Sequence, residues 1–183
     1  MKILGSQTSC LVVIDPQERL MKAVKGPEGV VDRMSILIRC ASLCNIPIIA
    51  TTQYRKGLGA IVPELDELLK NALSVDKLEF NAFFNDDFRE IVSSLPAKVD
   101  SMIITGVEAH ICIFQTAVSA IAHGFNTWVV TDAISSRNKK DMKAAIALMN
   151  ASGIHCATSE MVVYQWLKRA GTEQFKAMIE HLK

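Results

Sequence analysis

The stretch that decides the fold is Thr105-Gly106-Val107-Glu108-Ala109-His110-Ile111-Cys112-Ile113-Phe114-Gln115-Thr116-Ala117. Ahead of it, Ser101-Met102-Ile103-Ile104 has the length and branching of a buried strand. Behind it, Ile113, Ala117, Ala120 and Ile121 recur at helical spacing, which predicts a helix from about Ile111 or Cys112. Gly106 permits the sharp turn between the two. Strand, turn and helix start set Cys112 where N–H groups without intrahelical partners point outward and the helix dipole favours negative charge. A thiol so placed is expected to have a lowered pKa, and the thiolate is the nucleophile. On geometry alone, Cys112 reads either as a reactive cysteine or as a packed helix residue.

The same construction repeats on both sides. Cys10-Leu11-Val12-Val13-Ile14 is a continuous apolar run typical of a parallel strand buried on both faces, and it stops at Asp15-Pro16. Val30, Met34, Leu37, Ile38, Ala41 and Leu43 suit a helix from Val30 to Cys44. Cys40 and Cys44 lie one turn apart on it, a spacing open to a metal but ordinary for core cysteines. Ile46 to Thr52 reads as a second strand. The loop Gln53 to Gly59, with Arg55, Lys56 and two glycines, would suit a phosphate-binding turn but matches no phosphate-loop pattern, and a solvated loop is the plainer reading. A third strand over Ala72 to Asp76 delivers Lys77. Phe80, Phe83 and Phe84 then crowd together, either as core or as the wall of a small apolar pocket beside Lys77.

Further on, Asn85 or Asp86 is expected to cap a helix through about Leu95. Thr127 to Thr131 is another strand, ending at Asp132. Asn138 caps a helix through Met149, closed by Gly153. Ile154 to Thr158 is the last strand, Ser159 opens a helix through Leu167, and a final helix covers Gln174 to His181. The alternation predicts a single α/β domain over residues 1–183. Its form would be a doubly wound three-layer α/β/α sandwich with a mainly parallel sheet of about six strands.

Composition narrows the function classes. The 183 residues are half hydrophobic and 21% charged, as in a globular protein, with a net charge of +1. That balance gives no reason to expect nucleic acid or membrane as a partner. The amino terminus fits no signal peptide, and five cysteines without a Cys-x-x-Cys pair argue against a disulfide framework, so a reducing cytoplasm is expected. The turn Asp15-Pro16-Gln17 has no glycine, so no dinucleotide fingerprint follows the first strand, and no cofactor is expected.

In doubly wound sheets, ligands sit beyond the carboxyl ends of the strands. That rule collects Asp15, Gln53, Lys77 and the turn before Cys112 on one edge. Asp15 could take the thiol proton and hand it to a leaving group, while Lys77 would hold Asp15 and stabilise negative charge. The four histidines, His110, His123, His155 and His181, read as structural or surface residues.

Asp15 after its strand, Lys77 in Asp-Lys-Leu-Glu-Phe, and Gly-Val-Glu-Ala-His-Ile-Cys together resemble the isochorismatase-like cysteine hydrolases. The likeness is strongest to the isochorismatase domain-containing hydrolases. It extends through Thr52 to Gly59, Val62 to Leu65, Asp132 to Arg137 and Thr158 to Glu160. The resemblance implies a triad of Asp15, Lys77 and Cys112. It also implies a cis bond between Val107 and Glu108, and an oxyanion hole from the N–H groups of Glu108 and Cys112. Position and resemblance give Leu20, Gln53, Tyr54, Phe80, Glu108 and Ile111 as candidate pocket residues for a small-molecule substrate.

Related enzymes hydrolyse small amides, carbamoyl amines or ureido compounds through a thioester, and the superfamily assembles as homo-oligomers. Two departures bear on the substrate. Nicotinamidases carry metal-binding aspartate and histidines near the second strand, where this chain has Thr51-Thr52-Gln53-Tyr54, so no metal is expected. Isochorismatases proper lack the cysteine, which speaks against isochorismate. The alternative to an enzyme is an idle member binding a metabolite or partner. A redox role for Cys112 would lack a neighbouring resolving cysteine.

Overall fold

The structure, a computed structural model, describes residues 3–182. The chain begins with β1 (Ser9–Ile14), α1 (Glu18–Ala23), α2 (Pro27–Leu43), β2 (Ile48–Gln53), α3 (Arg55–Leu58), α4 (Pro63–Leu69) and β3 (Leu73–Lys77). It continues with α5 (Asp86–Ser94), β4 (Ser101–Val107), a π-helical turn (Ala109–Ile113) and α6 (Phe114–Ala122). The last elements are β5 (Asn126–Ser135), α7 (Lys139–Ala151), β6 (His155–Ala157), α8 (Ser159–Leu167) and α9 (Glu173–Ile179).

The six strands form one parallel sheet in the order β3-β2-β1-β4-β5-β6. The expected doubly wound architecture is therefore present, and the sheet is parallel throughout. Strand order reverses between β1 and β4, which is where such sheets form their crevice.

Side-chain alternation splits the core in two. Leu11 and Val13 of β1 join a cluster with α2, α4, α8 and α9, through residues such as Met34, Leu37, Leu65, Val163 and Met178. Cys10, Val12 and Ile14 face the other way, onto Phe88, Ala117, Ala120 and Met149 of α5, α6 and α7. All six residues of β1 are buried, which explains its unbroken apolar reading.

Caps close the helices where the sequence indicates. The Asn85 side chain accepts from the Phe88 N–H at 3.0 Å, and that of Asn138 from the Lys140 N–H at 2.9 Å. Asp132 fixes the start of α8, accepting from the Ser159 N–H and hydroxyl, each at 2.7 Å.

Several expectations need correction. The stretch after Gln53 is not merely a loop: Arg55–Leu58 forms the single turn α3. Tyr54 precedes it at φ 42°, and its ring lies so close to Gly57 that an added Cβ would meet Cε1 at 2.2 Å. The strand expected to end at Asp132 runs on to Ser135, because a register shift opposite Ile104 and Gly106 lets β5 pair past an irregularity. α1 and α4 have no counterpart in the sequence reading. Both are too short to develop a periodic stripe.

Candidate active site

The site starts from the backbone pairing of β1. Ile14 pairs with Thr51 on one side and with Gly106 on the other. At Gly106 a Cβ would meet the Ile14 carbonyl oxygen at 2.0 Å, and φ is +119°, so only glycine fits this crossing. One residue beyond the pair, Asp15 leaves β1 at φ 50°, a left-handed conformation that aspartate tolerates better than most residues.

Asp15 and Lys77 are fully buried and in contact. The Lys77 ammonium donates to Asp15 Oδ2 at 2.7 Å and to Gln53 Oε1 at 2.8 Å. The Thr51 hydroxyl donates to the other carboxylate oxygen at 2.6 Å. Gln53 pairs with Lys77 across β2 and β3, and its amide nitrogen donates to the Leu78 carbonyl at 2.8 Å. Gln17 ties the same corner together: its side chain accepts from the Gln53 N–H at 2.7 Å and donates to the carbonyls of Gln53 and Gly59. A buried ion pair costs desolvation unless its remaining hydrogen-bonding capacity is met, and here neighbours meet it on both sides.

Cys112 approaches from β4 but does not sit in the first turn of an α-helix. Ala109–Ile113 is a π-turn, and α6 begins at Phe114. The Val107–Glu108 peptide bond is cis. The Ile113 N–H donates to the Glu108 carbonyl at 3.3 Å, so the Cys112 N–H lies ahead of the first π-type bond.

The thiol is 6% exposed and pushed up to about 12, not lowered. Burial is the main cause, and the negative charge of Asp15 adds to it. Lys77 opposes them, while hydrogen bonding with Asp15 and the charge of Glu108 raise it further. The lowering expected from a helix start is not found: desolvation and the carboxylates set the direction, and Lys77 is what opposes them. At neutral pH Cys112 is a thiol whose neighbour is a carboxylate able to accept its proton.

The candidate pocket residues meet different fates. Gln53 lies against Lys77 and Leu78, with its side-chain oxygen and nitrogen both engaged. Glu108 is buried, accepts from the Arg137 N–H at 2.9 Å, and lies 3.5 Å from the Arg137 guanidinium. Leu20 and Ile111 are half-buried against opposite cores. Tyr54 and Phe80 are exposed, whereas Phe83 is in the core, so the aromatic cluster divides instead of forming one wall.

The sequence reading also missed Thr51, Gln17 and Arg137 as site-building residues. Thr51 could have been found from its place at the end of β2. The Arg137 contact depends on a long-range approach of two turns and left no local signal. His110 is held through Nδ1, 2.9 Å from the Ser136 hydroxyl. Among the described residues no group of three or more histidine, cysteine or acidic side chains is placed to hold a metal.

The Isochorismatase domain matches residues 9–161. Isochorismatase domain-containing protein 2 of Xenopus laevis is 34% identical, with 94% of this chain and 82% of that protein covered. The MAR1 ribonuclease structure from Caenorhabditis elegans superposes with a TM-score of 0.91 at 31% identity, covering 99% of this chain and 92% of that one. YcaC from Pseudomonas aeruginosa, with hexane-2,5-diol and covalent acrylamide, gives 0.90 at 29% identity over 98% and 91% of the two chains. YcaC of Escherichia coli, an octameric hydrolase of unknown specificity, gives 0.91 at 26% identity over 99% and 91%. The chain, with its parallel sheet and its buried acid, lysine and cysteine at one edge, belongs to the isochorismatase family of hydrolases.

Proposed function

We propose that this protein is a cysteine hydrolase that cleaves a small amide or another carbonyl–nitrogen substrate through a covalent thioester, without a metal. The observation that carries the reading is the Cys112 thiol beside a buried carboxylate that Lys77 holds at 2.7 Å. Asp15 takes the thiol proton as sulfur attacks the carbonyl carbon, forming the C–S bond. The N–H groups of Glu108 and Cys112 stabilise the oxyanion. Collapse of this intermediate breaks the C–N bond, and Asp15 returns the proton to the leaving amine. Asp15 then deprotonates a water that attacks the thioester, and the carboxylic acid leaves as the thiol recovers its proton.

Lys77 keeps the Asp15 side chain oriented through both halves. The raised thiol pKa suits this sequence, since proton transfer accompanies attack and no standing thiolate is required. The donor chemistry supports independence from metals: Gln53 offers an amide where a hard or borderline cation prefers carboxylate or imidazole, and that amide is already engaged. The covalent acrylamide on P. aeruginosa YcaC is in keeping with a nucleophile that meets amide-bearing molecules. The octameric E. coli relative supports a homo-oligomer.

A screen of small amides and carbamoyl compounds for ammonia release tests the proposal. Turnover by the native chain, lost in Cys112→Ala and unchanged by a chelator, is expected. A labelled RNA in the same screen tests the activity named for the C. elegans neighbour. Turnover that survives Cys112→Ala would overturn the mechanism. The burial of the thiol favours one second reading, a member that binds a metabolite without turning it over. Binding without ammonia release across the screen would select it.

A further inference from the structure

Between the first turns of α2 and α7 lies a groove of about 520 Å³, within the size range of small-molecule sites. Its floor is apolar, formed by Val30, Ile134, Met142 and Ile146. Four cationic side chains line it, Lys25, Arg33, Lys139 and Lys143, against one carboxylate, Asp132. That carboxylate already holds Ser159 and lies 3.8 Å from the Arg33 guanidinium, so these two charges offset one another. The other three ammonium groups make no ion pair among the described residues. None of the lining residues belongs to the Asp15, Lys77 and Cys112 set.

We propose that this groove binds a small amphipathic anion, a monocarboxylate with an apolar body. Burying the body against Val30, Met142 and Ile146 removes apolar surface from water. The carboxylate meets uncompensated positive charge at the rim. A neutral apolar molecule would leave the lysines unused, and a small hydrophilic anion would leave the floor wet. The chemistry of the groove therefore asks for both parts in one ligand.

The test is calorimetric titration of the full chain with octanoate, octanol and acetate at low and high salt. Octanoate is expected to bind more weakly as salt rises, octanol about tenfold more weakly than octanoate, and acetate without measurable heat. The Lys139→Glu/Lys143→Glu variant should weaken octanoate about tenfold with an unchanged thermal midpoint. If that variant fails to fold, Lys25→Gln/Lys143→Gln, which removes the charges without reversing them, should give a smaller loss in the same direction. Binding retained in Cys112→Ala supports a site apart from the thiol, and its loss there would place octanoate at the thiol and overturn the proposal. Equal affinity for octanol, indifference to both lysine variants, or no octanoate binding would also overturn it. So would a change in sedimentation without a change in octanoate affinity, which would make the groove a face between copies of the chain.

Discussion

Two thiols of this protein, Cys10 near the start of β1 and Cys112 after β4, are both pushed up to about 12. The causes differ. Around Cys10 the shift comes from burial alone, against a small opposing backbone hydrogen bond. Around Cys112, burial is joined by the charge and hydrogen bond of Asp15, with Lys77 pulling the other way. A raised pKa therefore does not separate an inert cysteine from a usable one. What separates them is whether a proton acceptor stands beside the sulfur.

The largest expected contrast is catalytic. Cys112→Ala should lower turnover on any substrate found by about 10³-fold or more, while Cys10→Ala should leave kcat near native, as ammonia release will show. The second concerns the acceptor's support. Lys77→Met strands a buried carboxylate and should cost about 3–5 kcal/mol in denaturant unfolding, with turnover falling alongside. Stability near native in Lys77→Met would mean that Asp15 does not depend on its partner.

The third contrast is in titration. Asp15→Asn removes a charge and an acceptor that both raise Cys112, so its thiol should ionise at lower pH. Iodoacetamide labelling of Cys112 below pH 12 should then quicken about tenfold or more, with Cys10 unchanged, as mass spectrometry can follow. The smallest effect is shared by the two thiols. Each keeps its proton in the folded state well above 9.0, where the unfolded chain loses it. Stability from this source is whole below about pH 9 and falls as pH rises toward 12, by about 1 kcal/mol per thiol at pH 10. Replacing either cysteine with alanine should flatten the alkaline slope by the same amount, and unequal slopes would break the equivalence.

Much of the site was legible because it depends on strand ends. Apolar runs locate Ile14 and Gln53 within a residue of the sheet edge, whereas the run ending at Ile104 stops three residues short of Val107, and Asp15, Lys77 and Cys112 follow from these ends. The ionisation of Cys112 was not legible. Its sign rests on burial and on a carboxylate delivered by a distant strand, while the local pattern reports only the helix start. The π-turn escaped for a related reason: Ile113 and Ala117 fit the α-helical spacing of α6, and nothing in Ala109 to Ile113 marks the wider first turn. Phe80 and Phe84 look like Phe83 in sequence, yet only Phe83 turns into the core, stacking on His123 and meeting Phe88 edge-on.

The crossing of Gly106 over Ile14 has a consequence for how the protein comes into being. Asp15 and Cys112 lie far apart along the chain, and they meet because β1 pairs with β4 along six residues that end at this crossing. Closing so long a loop is entropically costly until the strands that reward it have paired. A partly folded chain with α2 docked on β1 and β2, but without β4, would hold the acid and lack the thiol. Recovery of activity during refolding should therefore track formation of the sheet centre, and the helices on either face could be complete before it begins.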